Sequence, residues 1–394
     1  MNWDLIKDIL LATVPLLVIF PTMFALTTWV ERKALARIQN RIGPNKVGGP
    51  LTPYGGKLSL FGLGQPAADG IKMLFKENIV PSGADRLFHL LAPILSLIPA
   101  MLVLCFLPLD FPWLTGEQDS VKAFMLDGAV IFFFAITGLN TLAVFMAGWA
   151  SRNKYSLLGG MRAIAQMISY EIPLVLSAVI VVMIVGSLNA HDIAKEQAGW
   201  KWFVFTPWGL AAFVIFFISS LAETNRSPFD LPEAESEIIA GYFTEYSGFK
   251  FALFFLGEYI AMFAISGLAV TLFLGAGDGP GIAAYPWLNV IWFLTKVFIL
   301  IGVMIWLRGT LPRLRVDQLM SFAWKFLMPL SILNIFVAGF AWHAQNTNNP
   351  NEETSLTIRI VIWISALIIL YTAAKGLDQV NRSKIKPRTY KYGE

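Results

Sequence analysis

The chain has 394 residues, 56% of them hydrophobic and only 14% charged, with a net charge of +4 and a mean hydropathy of +0.62. A soluble domain carries about 25% charged residues, so this chain lacks the polar coat that a water-soluble globule needs. One cysteine (Cys105) and three scattered histidines (His89, His191, His343) exclude a disulfide scaffold, a zinc ribbon, a haem pair and a cysteine-ligated iron–sulfur cluster held by this chain alone. The charge is too small and too dispersed for a nucleic-acid partner. What remains is a membrane protein.

A helix that crosses lipid needs roughly 20 mostly apolar residues, because every backbone polar group must be satisfied within it. In chain order, nine stretches qualify, at about 8–30, 87–109, 124–150, 163–188, 207–223, 251–276, 286–307, 326–342 and 357–375. The first is too long for a cleavable signal, and its flank of Asp4, Lys7 and Asp8 is too mixed. No internal repeat is visible, which argues against an inverted-repeat transporter. The expected fold is an all-α polytopic membrane protein, one integral-membrane domain over 1–394. Orientation follows Lys and Arg. With the N-terminus outside, the inner stretches 31–86, 151–162, 224–250, 308–325 and 375–394 hold 9, 3, 2, 4 and 6 of the thirty Lys and Arg residues. The outer side has Lys7, Lys122, Lys195, Lys201 and Arg359, and Lys296 sits within the seventh helix. The basic tail, 376–394, falls inside.

After the first span, ERKALARIQNRIGPNKVGG (31–49) extends the helix and then breaks at Gly43 and Pro44. GLGQPAADGIKMLFKE (62–77) places Ala67, Ile71, Leu74 and Phe75 on one helical face, with Asp69, Lys72 and Lys76 polar. It is too short and too charged to span, so an interfacial amphipathic helix is expected. Its GLGQPA has the outline of a dinucleotide loop, but no strand precedes it and Pro66 interrupts it. Farther along, Glu171 and Glu258 fall within the fourth and sixth spans and Lys296 within the seventh. A charge at the bilayer centre costs at least about 2.5–3.5 kcal/mol, so such residues face a bundle interior. They either hold helices together as ion pairs or mark a proton path, and a carboxyl at that depth suits reversible proton uptake.

The inner loop AETNRSPFDLPEAESEIIAGYFTEYSG (222–248) carries Glu223, Asp230, Glu233, Glu235, Glu237 and Glu245, with Arg226 the only basic residue before Lys250. Glu233 and Glu237, four apart, would share a helix face, where like charges repel and hold a proton more tightly. Pro228 and Pro232 break the segment. A solvated acidic loop is the plain reading, but the interleaved Phe229, Leu231, Ile238, Ile239, Tyr242 and Phe243 call for burial. The sequons at Asn225 and Asn381 lie on the inner side, where they have no meaning.

ERKALARIQNRIGPNKVG, GLGQPAADGIKMLFKE, AETNRSPFDLPEAESEIIAGYFTEY, the GEY at 257–259 and RGTLPRLRVDQLMSFAWKFLMPL at 308–330 together resemble one family. It is the H subunit of NADH–quinone oxidoreductase, in the membrane arm of respiratory complex I. The resemblance covers nearly the whole chain and is weakest at the outer loops and the C-terminal tail. It implies a component of a proton-translocating enzyme that carries no redox centre, catalytic residue, metal or cofactor of its own and has quinone (ubiquinone or menaquinone) as substrate. The implied partners are the peripheral-arm quinone-site subunits, docked on 31–86 and 224–250, neighbouring small membrane subunits, and lipid. The implied place is a bacterial inner membrane, with the C-terminus cytoplasmic.

On the family's pattern, Glu31, Arg32, Arg41, Ala67, Asp69, Lys72, Phe229, Asp230 and Glu233 line the quinone tunnel and chamber. Glu171, Glu223, Glu235, Glu237, Glu258, Lys296 and Arg308 serve proton coupling. Three other readings compete. They are the matching component of a membrane-bound hydrogenase, an independent cation–proton antiporter, and a purely structural anchor whose loop acids pair with basic residues of the peripheral arm.

Overall fold

The computed structural model describes residues 22–45, 47, 61–104, 127–231, 240–282, 285, 287–347 and 356–383. Among them every regular element is helical. The helices are α1 (22–38), α2 (Gln65–Phe75), α3 (Arg86–Leu104), α4 (Ala129–Ala150), α5 (Lys154–Val185) and α6 (Ala190–Glu196). Then follow α7 (Pro207–Glu223), α8 (Gly248–Phe273), α9 (Leu288–Thr310), α10 (Val316–Phe322), α11 (Met328–Thr347) and α12 (Leu356–Ser383). A π-helical turn, Ala323–Leu327, fuses α10 to α11. Five stretches are long and apolar enough to cross a membrane: α4, α5, α8, α9 and Val316–Ala344. Apolar runs in α3, α7 and α12 are shorter, and most of the first predicted span lies outside the described residues. Phe336, Phe340, Trp306 and Ile131 are exposed, an arrangement that suits lipid and not water. The chain is a multi-pass membrane protein.

Local chemistry sets the helix limits. Asn153 is extended and its side chain accepts from the Tyr155 N–H, so α5 starts at Lys154, nine residues before the apolar run at 163. It stops at Gly186, whose φ of 74° only glycine adopts freely. At α7, the Thr206 hydroxyl accepts from Gly209 N–H at 3.2 Å, and Pro207 occupies the first turn. The amphipathic helix is there as expected, shorter than 62–77, and it buries none of its residues in this chain.

α8 is the central helix, packed on α3, α9, α7 and the small α2. α5 lies against α4, α7 and α11, and α12 covers α11 and α7. Glycines let two backbones meet. A Cβ on Gly159 would lie 2.6 Å from the Gly241 Cα, so α5 and the 241–243 turn touch with nothing between them. On the far side, the Gln197 amide donates to the Thr271 carbonyl at 2.8 Å and accepts from Gly275 N–H at 3.0 Å, closing the loop after α8.

Candidate functional site

The site grows from one buried carboxylate. Glu31 is 2% exposed on α1. Arg226, from the loop after α7, places Nη1 2.9 Å from one Glu31 oxygen and 3.1 Å from the other. Arg308, in the last turn of α9, donates to the same carboxylate. Tyr259 of α8 hydrogen-bonds Glu31, and the Arg226 guanidinium lies 4.2 Å from the Tyr259 ring centre. Burial opposes the charge on Arg226, but the Glu31 carboxylate more than offsets it and holds the guanidinium above its ordinary pKa. α1, the loop, α8 and α9 are thus tied at one charged point.

The loop itself is folded inward. Phe229 is buried, with its ring 5.2 Å from that of Tyr170. Asp230 is buried and paired with half-exposed Arg313 at 3.2 Å, and the Leu314 N–H donates to the Pro228 carbonyl at 3.1 Å. Gln166 of α5 donates to the carbonyls of Ala222 (2.7 Å) and Phe229 (2.6 Å). Buried and acidic is the right description of residues 222–231. Glu233, Glu235 and Glu237 lie outside the described residues.

Deeper in the bundle, Glu223 is buried at the end of α7, and its Oε2 has no hydrogen-bond partner. The carboxyl of Glu171, packed over Gly138 of α4, is close enough to act on it electrostatically. Glu258 accepts from the Tyr242 hydroxyl at 3.3 Å and also acts electrostatically on Arg226. Glu223 thus feels the charge of Glu171, and Arg226 that of Glu258, so the protonation of these groups is linked in pairs.

The expected tunnel residues divide. Arg32 pairs with Asp69, and Gln65 donates to Asp69 at 3.0 Å, while Trp29 donates to the Phe61 carbonyl at 3.1 Å. The Arg32–Asp69 pair fastens α2 to α1, the Trp29 bond holds the turn before α2, and the Gln65 bond lies within α2. Ala67 and Lys72 are exposed on α2, and Arg41 lies beyond the end of α1, bonded to Gln39 at 2.8 Å. Lys296 stands apart from all of them. Its ammonium donates to the carbonyls of Leu274 (2.6 Å), Ala276 (3.0 Å) and Asp278 (2.7 Å) and sits 4.0 Å from the Trp202 ring centre, at the far end of α8. Among the described residues no group of His, Cys, Asp and Glu is placed to hold a metal ion. Tyr259, Arg313 and Gln166 were not among the expected site residues. Arg226 had a signal, as the lone cation in an acidic loop.

A family model described as NADH dehydrogenase matches residues 11–339, which take in every residue of this cluster. The chain belongs to that family. It is 44% identical over 345 residues to a Dehalococcoides mccartyi protein named as the H subunit of NADH-quinone oxidoreductase, covering 87% of this chain and 89% of that one. Proteins of the same name from Geobacillus kaustophilus (47% identical, 79% and 88% covered) and Thermomicrobium roseum (44%, 86% and 97%) match likewise. As a member of this family, the chain conforms from α1 to most of α11, while α12 and the basic tail lie beyond the family match.

Proposed function

We propose that this chain is a membrane-arm component of a proton-translocating NADH–quinone oxidoreductase, seated where the membrane arm meets the peripheral arm. In this reading α1 and α2 wall the passage that brings quinone from lipid to its site of reduction. Glu223, Glu171 and Glu258 begin the route that couples reduction to proton movement. The observation that carries it is the buried Glu31–Arg226–Arg308 cluster, which joins α1 to the loop bearing Glu223 and Asp230.

The physical logic is short. A long-tailed quinone needs an apolar wall open to lipid, and α2 offers exposed Ile71, Leu74 and Phe75 beside the Arg32–Asp69 tie. Reducing the head group builds negative charge and takes up two protons. Carboxyl groups close enough to feel one another's charge respond to such a change by altering their protonation. Asp230, already paired with Arg313 of the same chain, supports this over loop acids that serve only to grip the peripheral arm. The inner loops, basic over 31–86 and acidic over 222–248, face the peripheral-arm subunits in a bacterial inner membrane.

Glu223→Gln tests the coupling half, because it keeps size and hydrogen bonding and removes the titratable charge. Quinone reductase activity per assembled complex and the pH gradient should fall together, by about tenfold, or 1.4 kcal/mol on the barrier. Normal turnover with a full gradient sinks the coupling assignment. Loss of assembly, with normal turnover in what does assemble, assigns Glu223 to structure.

A further inference from the structure

Gln166 is an uncharged residue in the first half of a spanning helix, fully buried, and the nearest in sequence of the distant acceptors it touches, at the end of α7, is 56 residues away. A buried amide costs free energy unless it is hydrogen-bonded, so its placement asks for a reason. Its NH2 group meets three acceptors: Ala222 O at 2.7 Å, Phe229 O at 2.6 Å and Asn225 Oδ1 at 3.3 Å. The amide orientation is fixed by chemistry, since a flipped group would point an oxygen at three oxygens. Two hydrogens serve the two main-chain carbonyls, and the third contact is the long one.

Ala222 and Phe229 are the two ends of the turn that holds Glu223 and Arg226. One side chain therefore closes that turn into a ring. The rest of the ring is local: Arg226 N–H donates to Leu221 O at 3.1 Å, Phe229 N–H to Arg226 O at 2.8 Å, and Asn225 has a left-handed φ of 49°. Asn225 N–H also donates to Ala222 O at 3.3 Å and Thr224 N–H to Ser220 O at 3.0 Å, so Gln166 adds a long-range tie from α5 to a locally bonded turn. On its other side the ring is pinned by Leu314 and Arg313. Two buried acceptors in this neighbourhood, Gln166 Oε1 and Glu223 Oε2, have no protein donor.

We propose that Gln166 is the positioning residue of this chain: by clamping both ends of the 222–229 turn, it sets Glu223 toward Glu171 and Arg226 onto Glu31. The clamp itself is independent of any function. Its effect on turnover rests on the coupling role proposed above for Glu223.

Two readouts in membranes holding the assembled complex separate the two claims. Gln166→Met keeps length and volume and removes both donors. Deuterium uptake by the 222–231 amides should speed up by about tenfold, with assembly retained on a native gel. Quinone reductase kcat should fall by about tenfold, with KM for a short-tailed quinone nearly unchanged. Adding Glu223→Gln should then cost less than about twofold more, because the carboxyl is already misplaced. Gln166→Glu, with at most one hydrogen to donate, should move both readouts the same way but less, and it serves if the Met variant fails to assemble.

Unchanged uptake in 222–231 overturns the clamp. Faster uptake with losses that multiply independently overturns the positioning role. Faster uptake in Gln166→Met together with full activity in Glu223→Gln leaves the clamp standing and removes the coupling assignment instead.

Discussion

Arg226 and Glu31, 195 residues apart in sequence, meet as a buried ion pair in which one guanidinium nitrogen bridges both carboxylate oxygens. Neither side chain is more than 8% exposed. Water therefore cannot rescue either charge if the other is removed. Glu31→Gln should cost about 3–5 kcal/mol of complex stability, because it leaves Arg226 buried without its countercharge. The yield of assembled complex and its midpoint of heat inactivation report this. Adding Arg226→Met should recover assembly relative to Glu31→Gln alone, and failure to do so would show that Arg308 is the partner that matters.

Ala67 is exposed on α2, one turn from the Ile71 that shares its face. If that face walls a passage, Ala67→Trp narrows it without touching the core. Turnover with a long-tailed quinone should fall by about tenfold while a short-tailed quinone loses less than about twofold. Equal losses, or none, would make α2 a surface helix only.

Lys296 is engaged by three carbonyls of the loop after α8, and from Glu258 to Leu274 is sixteen residues, about 24 Å of helix rise. Its geometry is that of a structural cap. Lys296→Met should lower the thermal midpoint, at about 1–3 kcal/mol for each acceptor that stays dry, and leave turnover per assembled complex unchanged. Lys296→Arg should not restore stability, because a planar fork cannot reproduce three converging bonds from one nitrogen. Loss of the pH gradient in a fully assembled Lys296→Met complex would return this residue to the proton route.

Much of the fold was legible because lipid imposes a simple rule on composition. α7 runs from Pro207 to Glu223, the same limits as the apolar run, since Thr206 and Pro207 mark its start in the sequence itself. The apolar run of α5 misses its first nine residues. Those opening turns, KYSLLGGMR, are too polar and too glycine-rich to score as membrane, and only the Asn153 cap betrays them. Single charges such as Glu171 and Glu258 stood out because charge in an apolar run is rare, and Glu223 stood out as one of the acids of the inner loop. Their partners did not. Arg226 with Glu31, or Gln166 with Ala222 and Phe229, are contacts between distant segments, and no local pattern encodes them. Gln166 carries no charge, so nothing in the sequence alone set it apart from an amide that simply faces a polar neighbour.

Side chains are the compliant layer of a protein core, because a rotamer can turn to absorb a small displacement of its neighbour. At Gly159 and Gly241 that layer is missing, and main chain rests on main chain. A push on the 241–243 turn has no rotamer in which to dissipate and must move α5 as a solid rod. The same rod carries Gln166 and Glu171 within its next four turns. The contact therefore fixes the spacing of α5 from the 241–243 turn, and a single methyl group at position 159 would force the two backbones apart.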